Sequence, residues 1–213
     1  MSEGLMAFVA ERVSLPGGEI EVVRPRDAEA LLSEDAFENE EFLPYWAELW
    51  TSGVALAHDL ARRSLRGART LELGCGLAVP SIAAARSGGR VLATDWSPDA
   101  VAAAADNAAR NGAELETLVC DWAAPEALLE RAPFQLVLAS DVLYEQRNVD
   151  QLLDLLPRLV DERGRILLAD PGRAPSDRFL ESARAGFEVI TTMSPRFPRV
   201  AIHRLRLRSP SAL

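Results

Sequence analysis

Leu71-Glu72-Leu73-Gly74-Cys75-Gly76-Leu77-Ala78-Val79-Pro80 is the stretch on which the reading of this chain turns. Thr70 to Leu73 forms a short apolar strand, which runs into a glycine turn and then a helix. Pro80 suits the first turn of that helix, where its missing N–H is no loss. A second apolar run, Val91-Leu92-Ala93-Thr94, ends at Asp95. A strand, a glycine turn, a helix and a carboxylate on the next strand together form the pattern that binds an adenosine. The turn lets backbone approach the ligand, and the carboxylate grips ribose hydroxyls.

Strands and helices alternate outward from this stretch. Ser97-Pro98-Asp99 supplies an N-cap, a first-turn proline and a first-turn acid for a helix that closes at Asn111-Gly112. Further strands are expected at Thr117–Cys120, Phe134–Ala139, Ile166–Ala169, Phe187–Thr192 and Val200–Leu207. Helices are expected at Pro125–Glu130, Val149–Val160 and Asp177–Arg184, with an earlier one over Glu48–Arg63. Apolar strands alternating with helices predict a mostly parallel sheet covered on both faces. The last two strands are too close for a crossover helix and should pair antiparallel as a hairpin. A phase slip at His203-Arg204 suggests a bulge. Before the sheet, residues 8–24 pattern as a hairpin around Pro16-Gly17-Gly18, and Asp27–Leu32 as a short helical patch. An acidic segment, Glu34–Glu41, then gives way to Phe42-Leu43-Pro44-Tyr45-Trp46. The expected organisation is one globular unit, with an N-terminal hairpin and acidic lead-in over 1–41 and the main α/β domain over 42–213.

Composition narrows the function. A chain of 213 residues suits one domain with a sizeable core. The formal charge of −9 makes it a poor partner for phosphate backbones, so nucleic acid is not expected. Cys75 and Cys120 form no CxxC pair, and both fit reduced, structural thiols in a cytoplasmic protein. No apolar run approaches a membrane span, and the first residues do not pattern as a signal peptide. No His/Cys/Asp cluster has metal-ligand spacing. Asp141 and Asp170 end neighbouring strands but lack a third ligand, so no metal is expected.

The glycine turn also discriminates between cofactors. A dinucleotide turn wants G-x-G-x-x-G, and counting from Gly74 puts Val79 in the last glycine slot. The segment Glu72-x-Gly74-x-Gly76-x-Ala78 instead resembles the E/D-x-G-x-G-x-G motif of S-adenosylmethionine-dependent methyltransferases, with alanine for the third glycine. A sulfonium cofactor carries no pyrophosphate, so the turn needs no phosphate cradle. The resemblance implies the Rossmann-like class I (seven-β-strand) fold, with S-adenosyl-L-methionine as cofactor.

Two further segments narrow the resemblance. Pro44-Tyr45-Trp46-Ala47-Glu48-Leu49-Trp50-Thr51-Ser52-Gly53 is similar to the W-x-x-x-W-P-S/G-G segment of the family-16 methyltransferases, with Thr51 where proline is common. Asp141-Val142-Leu143-Tyr144 matches the D-x-x-Y motif of the same group, which includes protein lysine methyltransferases and shares its core with nicotinamide-type enzymes. Carried over by position, Trp50 and Gly53 should lie against the cofactor, and Glu72, Gly74 and Gly76 should form the turn. Glu72 would serve the methionyl end. Asp95, which lies 19 positions after Gly76, would hold the ribose with Trp96 beside the adenine. Asp121 and Trp122 would close over the base, and Ser140 would border the site. Asp141 and Tyr144 are the candidate catalytic pair, facing the nucleophile. Trp46 and Arg173 are candidate substrate contacts. Plain packing remains an alternative for Trp46, Tyr45, Trp122 and Tyr144.

The activity implied is methyl transfer to a protein, on lysine. Two alternatives stay open. One is a small-molecule N- or O-methyltransferase, and the other is a non-catalytic protein that binds the cofactor. The Asn/Asp-Pro-Pro-Tyr motif of enzymes that methylate nucleic-acid amines is absent at Ser140-Asp141-Val142-Leu143. Sequence alone is silent on oligomeric state.

Overall fold

The computed structural model describes residues 7–28 and 44–208. The acidic Glu34–Glu41 segment, Phe42-Leu43 and the expected helical patch beyond residue 28 lie outside the described residues. An N-terminal ribbon, β1 (Phe8–Leu15) and β2 (Gly18–Pro25), is followed by a 3₁₀ turn at Tyr45–Ala47 and α1 (Thr51–Leu60). Then come β3 (Arg69–Leu73), α2 (Val79–Arg86), β4 (Arg90–Asp95), α3 (Pro98–Arg110), β5 (Leu115–Val119), α4 (Glu126–Leu129) and β6 (Phe134–Ser140). The chain continues through α5 (Gln146–Leu159), β7 (Val160–Asp170), α6 (Ala174–Ala183), β8 (Phe187–Met193) and β9 (Ala201–Leu207).

The main sheet has seven strands in the order β5-β4-β3-β6-β7-β9-β8. The first five pair in parallel, and β9 slots between β7 and β8, antiparallel to both. The expected Rossmann-like arrangement with its closing hairpin is therefore present. Strand order reverses at β3, which pairs with both β4 and β6. That reversal opens a crevice at the carboxyl ends of these two strands, the place where open α/β sheets bind ligands.

Period-2 alternation splits the core between the two faces. Leu71, Leu73, Val137, Ala139, Ile166 and Leu168 point into one cluster, against α5 and α6. Leu136, Leu138, Leu167 and Ala169 point the other way, against α1, α2 and the ribbon. Helix α5 shows why it forms: Val149, Leu152, Leu155, Leu156 and Leu159 recur at helical spacing and are all buried. It begins at Gln146, three residues before the expected start: Gln146 and Arg147 are exposed, while the buried Asn148 bonds the preceding loop, so the apolar stripe alone does not mark the first turn.

The expected bulge at His203-Arg204 is not there. β9 keeps unbroken register with both neighbours. Ile202 and His203 are both buried because both faces of β9 are covered, so strict alternation is not required. His203 Nδ1 sits 2.9 Å from Thr191 Oγ1. The irregularity lies in the β6–β7 pairing instead, between Phe134 and Leu136. There Gly164 packs so tightly that a Cβ would lie 2.7 Å from Val160 Cγ2.

The ribbon is fastened to the body by two asparagines one turn apart on α3. Val23 N–H donates to Asn107 Oδ1 (2.8 Å) and Glu21 N–H to Asn111 Oδ1 (2.9 Å). Asn107 Nδ2 returns a bond to Val23 O, and Asn111 Nδ2 to Glu21 O. The two amides act as a substitute strand along the edge of β2. Val13, Ile20 and Val22 bury their side chains beneath it. Asn107 is fully buried and also donates to Leu77 O. Asn107→Ala should therefore destabilise the protein by about 2 kcal/mol, since it strands a buried N–H and two carbonyls. The more exposed Asn111→Ala should cost about half of that, with both read from urea unfolding.

Candidate functional site

The turn between β3 and α2 runs through three left-handed residues: Gly74 (φ 64), Gly76 (φ 47) and Ala78 (φ 61). Conformation alone favours glycine at the first two. Space demands it too. A Cβ on Gly74 would lie 2.9 Å from Val142 Cγ1, and one on Gly76 would lie 3.2 Å from Trp46 O. Ala78 occupies the third slot in the same conformation, at a cost of about 1 kcal/mol.

Asp95 holds this turn in place. Its Oδ2 accepts from Gly76 N–H (3.0 Å) and its Oδ1 from Ser97 N–H (3.1 Å). Burial raises its pKa, and the N–H groups of Gly76, Ser97 and Trp96 oppose that shift. The carboxylate keeps acceptor capacity beyond these bonds and lines a cavity of about 580 Å³. The cavity opens at the crevice above β3 and β6.

The cavity gathers nearly all of the residues singled out in the sequence. Trp46, Trp50, Gly53, Gly74, Gly76, Asp95 and Trp96 border it, as do Asp121, Trp122, Ser140, Asp141, Tyr144 and Arg173. Trp122 packs against Gly74, and Asp121 turns its Oδ1 back to accept from Ala123 N–H (2.8 Å).

Glu72 is the exception, being fully buried behind the turn rather than on the cavity wall. Its Oε2 accepts from both Ser81 N–H (2.9 Å) and Ser81 Oγ–H (2.5 Å). Ser81 is the third residue of α2, whose N-cap, Ala78, has no side-chain acceptor. Glu72 therefore supplies the missing cap from the neighbouring strand, at the positive end of the helix dipole. Its expected contact with a methionyl end is not made in this arrangement. Burial without a counter-charge pushes its pKa to about 8, with the Ser81 bonds and the nearby Asp95 as smaller influences.

Asp141 ends the fourth parallel strand in a left-handed conformation (φ 58). Its N–H donates to Ala169 O, and Arg173 Nη1 donates to its Oδ1 (2.7 Å). The same Nη1 reaches Asp170 Oδ2 at 3.4 Å. Burial raises the pKa of Asp141, while Arg173 favours its charged form. The nearby hydroxyl of Ser52 also favours that form, though neither Ser52 Oγ nor Asp141 Oδ2 has a hydrogen-bond partner of good geometry.

Around Asp141 the mouth of the cavity is aromatic. Tyr45 lies 5.3 Å from Tyr144 and 6.4 Å from Trp50, measured between ring centroids. The three rings are 38–39% exposed, unusually open for side chains of their size. Burial still raises the pKa of Tyr144, which keeps it a phenol. Sequence reading passed over Val142, Ser52 and Asn148. Val142 sits inside the D-x-x-Y segment and was within reach. Asn148 Nδ2 donates to Val142 O (2.9 Å) and shapes the loop from the helix side, a placement with no sequence signal.

The profile of the family described as "Methyltransferase domain" matches residues 64–194. The chain belongs to that family. Among curated relatives, an electron transfer flavoprotein beta subunit lysine methyltransferase of Xenopus laevis is 36% identical over 137 residues, 62% of this chain and 54% of its own. A mouse histone-arginine methyltransferase, METTL23, is 29% identical over 160 residues, 70% of this chain and 59% of its own. The chain thus spans a little over half the length of these relatives. A T. thermophilus 16S rRNA methyltransferase, solved with AdoMet and guanosine, shares the fold at a TM-score of 0.69 and 16% identity, over 94% of this chain and 51% of that one.

The site fits such a cofactor. Its glycine turn leaves no room for side chains, and one buried carboxylate with spare acceptor capacity faces the cavity for a ribose. The indole rings of Trp46, Trp50, Trp96 and Trp122 flank the same space. Among the described residues there is no group of three His, Cys, Asp or Glu side chains that could hold a metal ion.

The raised pKa of Glu72 gives a signed prediction. Native Glu72 stays protonated up to about pH 8, whereas in the unfolded chain it ionises near 4.5, the ordinary value of a glutamate. Stability from this group is present at low pH and lost as pH rises between those values. Glu72→Gln mimics the protonated form, so the variant should match wild type near pH 5. It should gain several degrees in Tm over wild type at pH 8.5. Parallel melting curves across pH would test this.

Proposed function

We propose that this protein transfers a methyl group from S-adenosylmethionine to the ε-amine of lysine in a protein acceptor. The observation that carries this reading is the mouth of the cavity. A carboxylate, Asp141, is set among the half-exposed rings of Tyr45, Trp50 and Tyr144. An anion framed by aromatic faces suits a cationic side chain arriving from outside on a larger molecule. The lysine methyltransferases among its relatives support the same acceptor class.

The bound cofactor supplies an already activated methyl on a sulfonium, so the protein's work is alignment and desolvation. Asp95 would fix the ribose, and Trp96, Asp121 and Trp122 would enclose the adenine. Tyr45 and Tyr144 would line the path of the lysine side chain, with Trp46 behind the turn. Asp141 carries the negative charge nearest that path. Even with its pKa raised by burial, a carboxylate is a far weaker base than an amine, so its role is to position the incoming nitrogen rather than to strip its proton. The two buried, free thiols, Cys75 and Cys120, support a reducing, cytoplasmic setting.

Radiolabelled cofactor incubated with cell lysate should mark a discrete protein band, and acid hydrolysis of that band should release ε-methyl-lysine. Label confined to small molecules would refute the reading in favour of a small-molecule acceptor. Asp95→Ala should lower cofactor affinity at least about 100-fold by calorimetry, because it removes a charged acceptor and frees Gly76. Asp141→Ala should leave that affinity within about threefold while reducing turnover at least about 100-fold.

A further inference from the structure

Arg173 sits on a site that its own charge does not explain. Asp170, fully buried, accepts from Gly172 N–H (2.7 Å) and Arg173 N–H (3.0 Å), fixing the backbone at the start of α6. From there the side chain reaches back to Asp141 Oδ1 and lays its guanidinium over the Trp50 ring, 5.7 Å from the centroid. It lines the cavity and is 27% exposed, whereas the Asp141 side chain is only 7% exposed. A buried carboxylate, an aromatic face and an adjoining Tyr45–Tyr144 pair form a receptor for an organic cation. The cation found there belongs to the chain itself.

The charges are uneven. Asp141 and Asp170 share the single guanidinium of Arg173, through the same Nη1. One further positive charge would balance them. Arg173 can yield Asp141 without losing all its partners, since Asp170 lies within 3.4 Å of the same nitrogen.

We propose that Arg173 is a displaceable stand-in for the methyl acceptor. A cationic side chain entering past Tyr45 and Tyr144 takes over Asp141 and the Trp50 face, and Arg173 retreats to Asp170 alone. Arg173 then acts as a specificity residue: only an acceptor that is itself a cation can compete for the spot, and neutral nucleophiles meet an occupied mouth. This inference rests on the cationic-acceptor reading given above and names the residue that enforces it.

The test compares wild type with Arg173→Ala, using methylguanidinium as the probe. The variant should bind methylguanidinium in the millimolar range by calorimetry, whereas wild type, with its site filled, should not. With a protein acceptor, the variant's KM should fall about fivefold, the equivalent of ~1 kcal/mol of competition removed. Methylguanidinium should inhibit the variant competitively with that acceptor. A folded variant that fails to bind methylguanidinium would overturn the inference. So would a raised KM that methylguanidinium restores, because Arg173 would then be a fixed part of the site. If Arg173→Ala does not fold, Arg173→Gln, a shorter polar side chain with N–H donors but no charge, carries the same comparison. If no protein acceptor is methylated by either form, the lysine reading fails, and the cation-binding measurement still decides the place of Arg173.

Discussion

One carboxylate holds the cavity edge of this molecule together. Asp95 accepts the N–H of Gly76 across the crevice between β4 and the turn that follows β3. The turn is otherwise poorly disposed to stay where it is. Three of its residues are left-handed, one of them an alanine, and it receives no side-chain cap of its own. Asp95 pins its middle, and Glu72 pins its far side through Ser81. Val142 and Trp46 press on it closely enough to exclude any side chain at Gly74 or Gly76. These contacts hold the turn in one shape, which is what a site that binds by alignment requires.

Two buried carboxylates at neighbouring strand ends are solved differently, and the difference separates support from chemistry. Glu72 has no cation near it, and its environment favours the proton over the charge. It works as a neutral hydrogen-bonding post. Asp141 lies one strand over and has Arg173 beside it. Burial pulls Asp141 toward the neutral form and the guanidinium pulls it back, so its charge is coupled to the position of Arg173. Of the two, only Asp141 borders the cavity. A carboxylate paired with a cation at the mouth is placed to meet an arriving cation, whereas a neutral acid behind a helix end is not.

The architecture was largely legible in the sequence because its signals are local. The Gly74-x-Gly76 turn, the cap at Ser97-Pro98-Asp99 and the apolar runs from Thr70 to Ala169 each report their own neighbourhood, and together they dictate a parallel sheet. The last two strands were readable as a pair from the short link between them. Their insertion order was not, because the placing of β9 between β7 and β8 depends on which edge of β7 stays open. The supposed bulge at His203 failed for a related reason. Alternation reports one-sided burial, and β9 is covered on both sides.

The site was legible as a list of residues and illegible as a set of contacts. Asp95, Asp121 and Asp141 could be placed at strand ends by counting, and all three reach one cavity. What each carboxylate touches depends on side-chain direction. Glu72 and Asp141 look alike in the sequence, as acids at the ends of adjacent strands. Yet Glu72 projects to the helix side, under Ser81, while Asp141 is turned by its left-handed backbone toward Arg173, 32 residues further on. No spacing rule links those two residues. The link exists because β6 and β7 are neighbours, so the loops that follow them meet above the sheet, and a glycine at 172 bends the second loop back over the first. The chemistry of the mouth is thus a product of topology. The strands deliver the acids to one edge, and the loop after β7 decides which of them meets a cation.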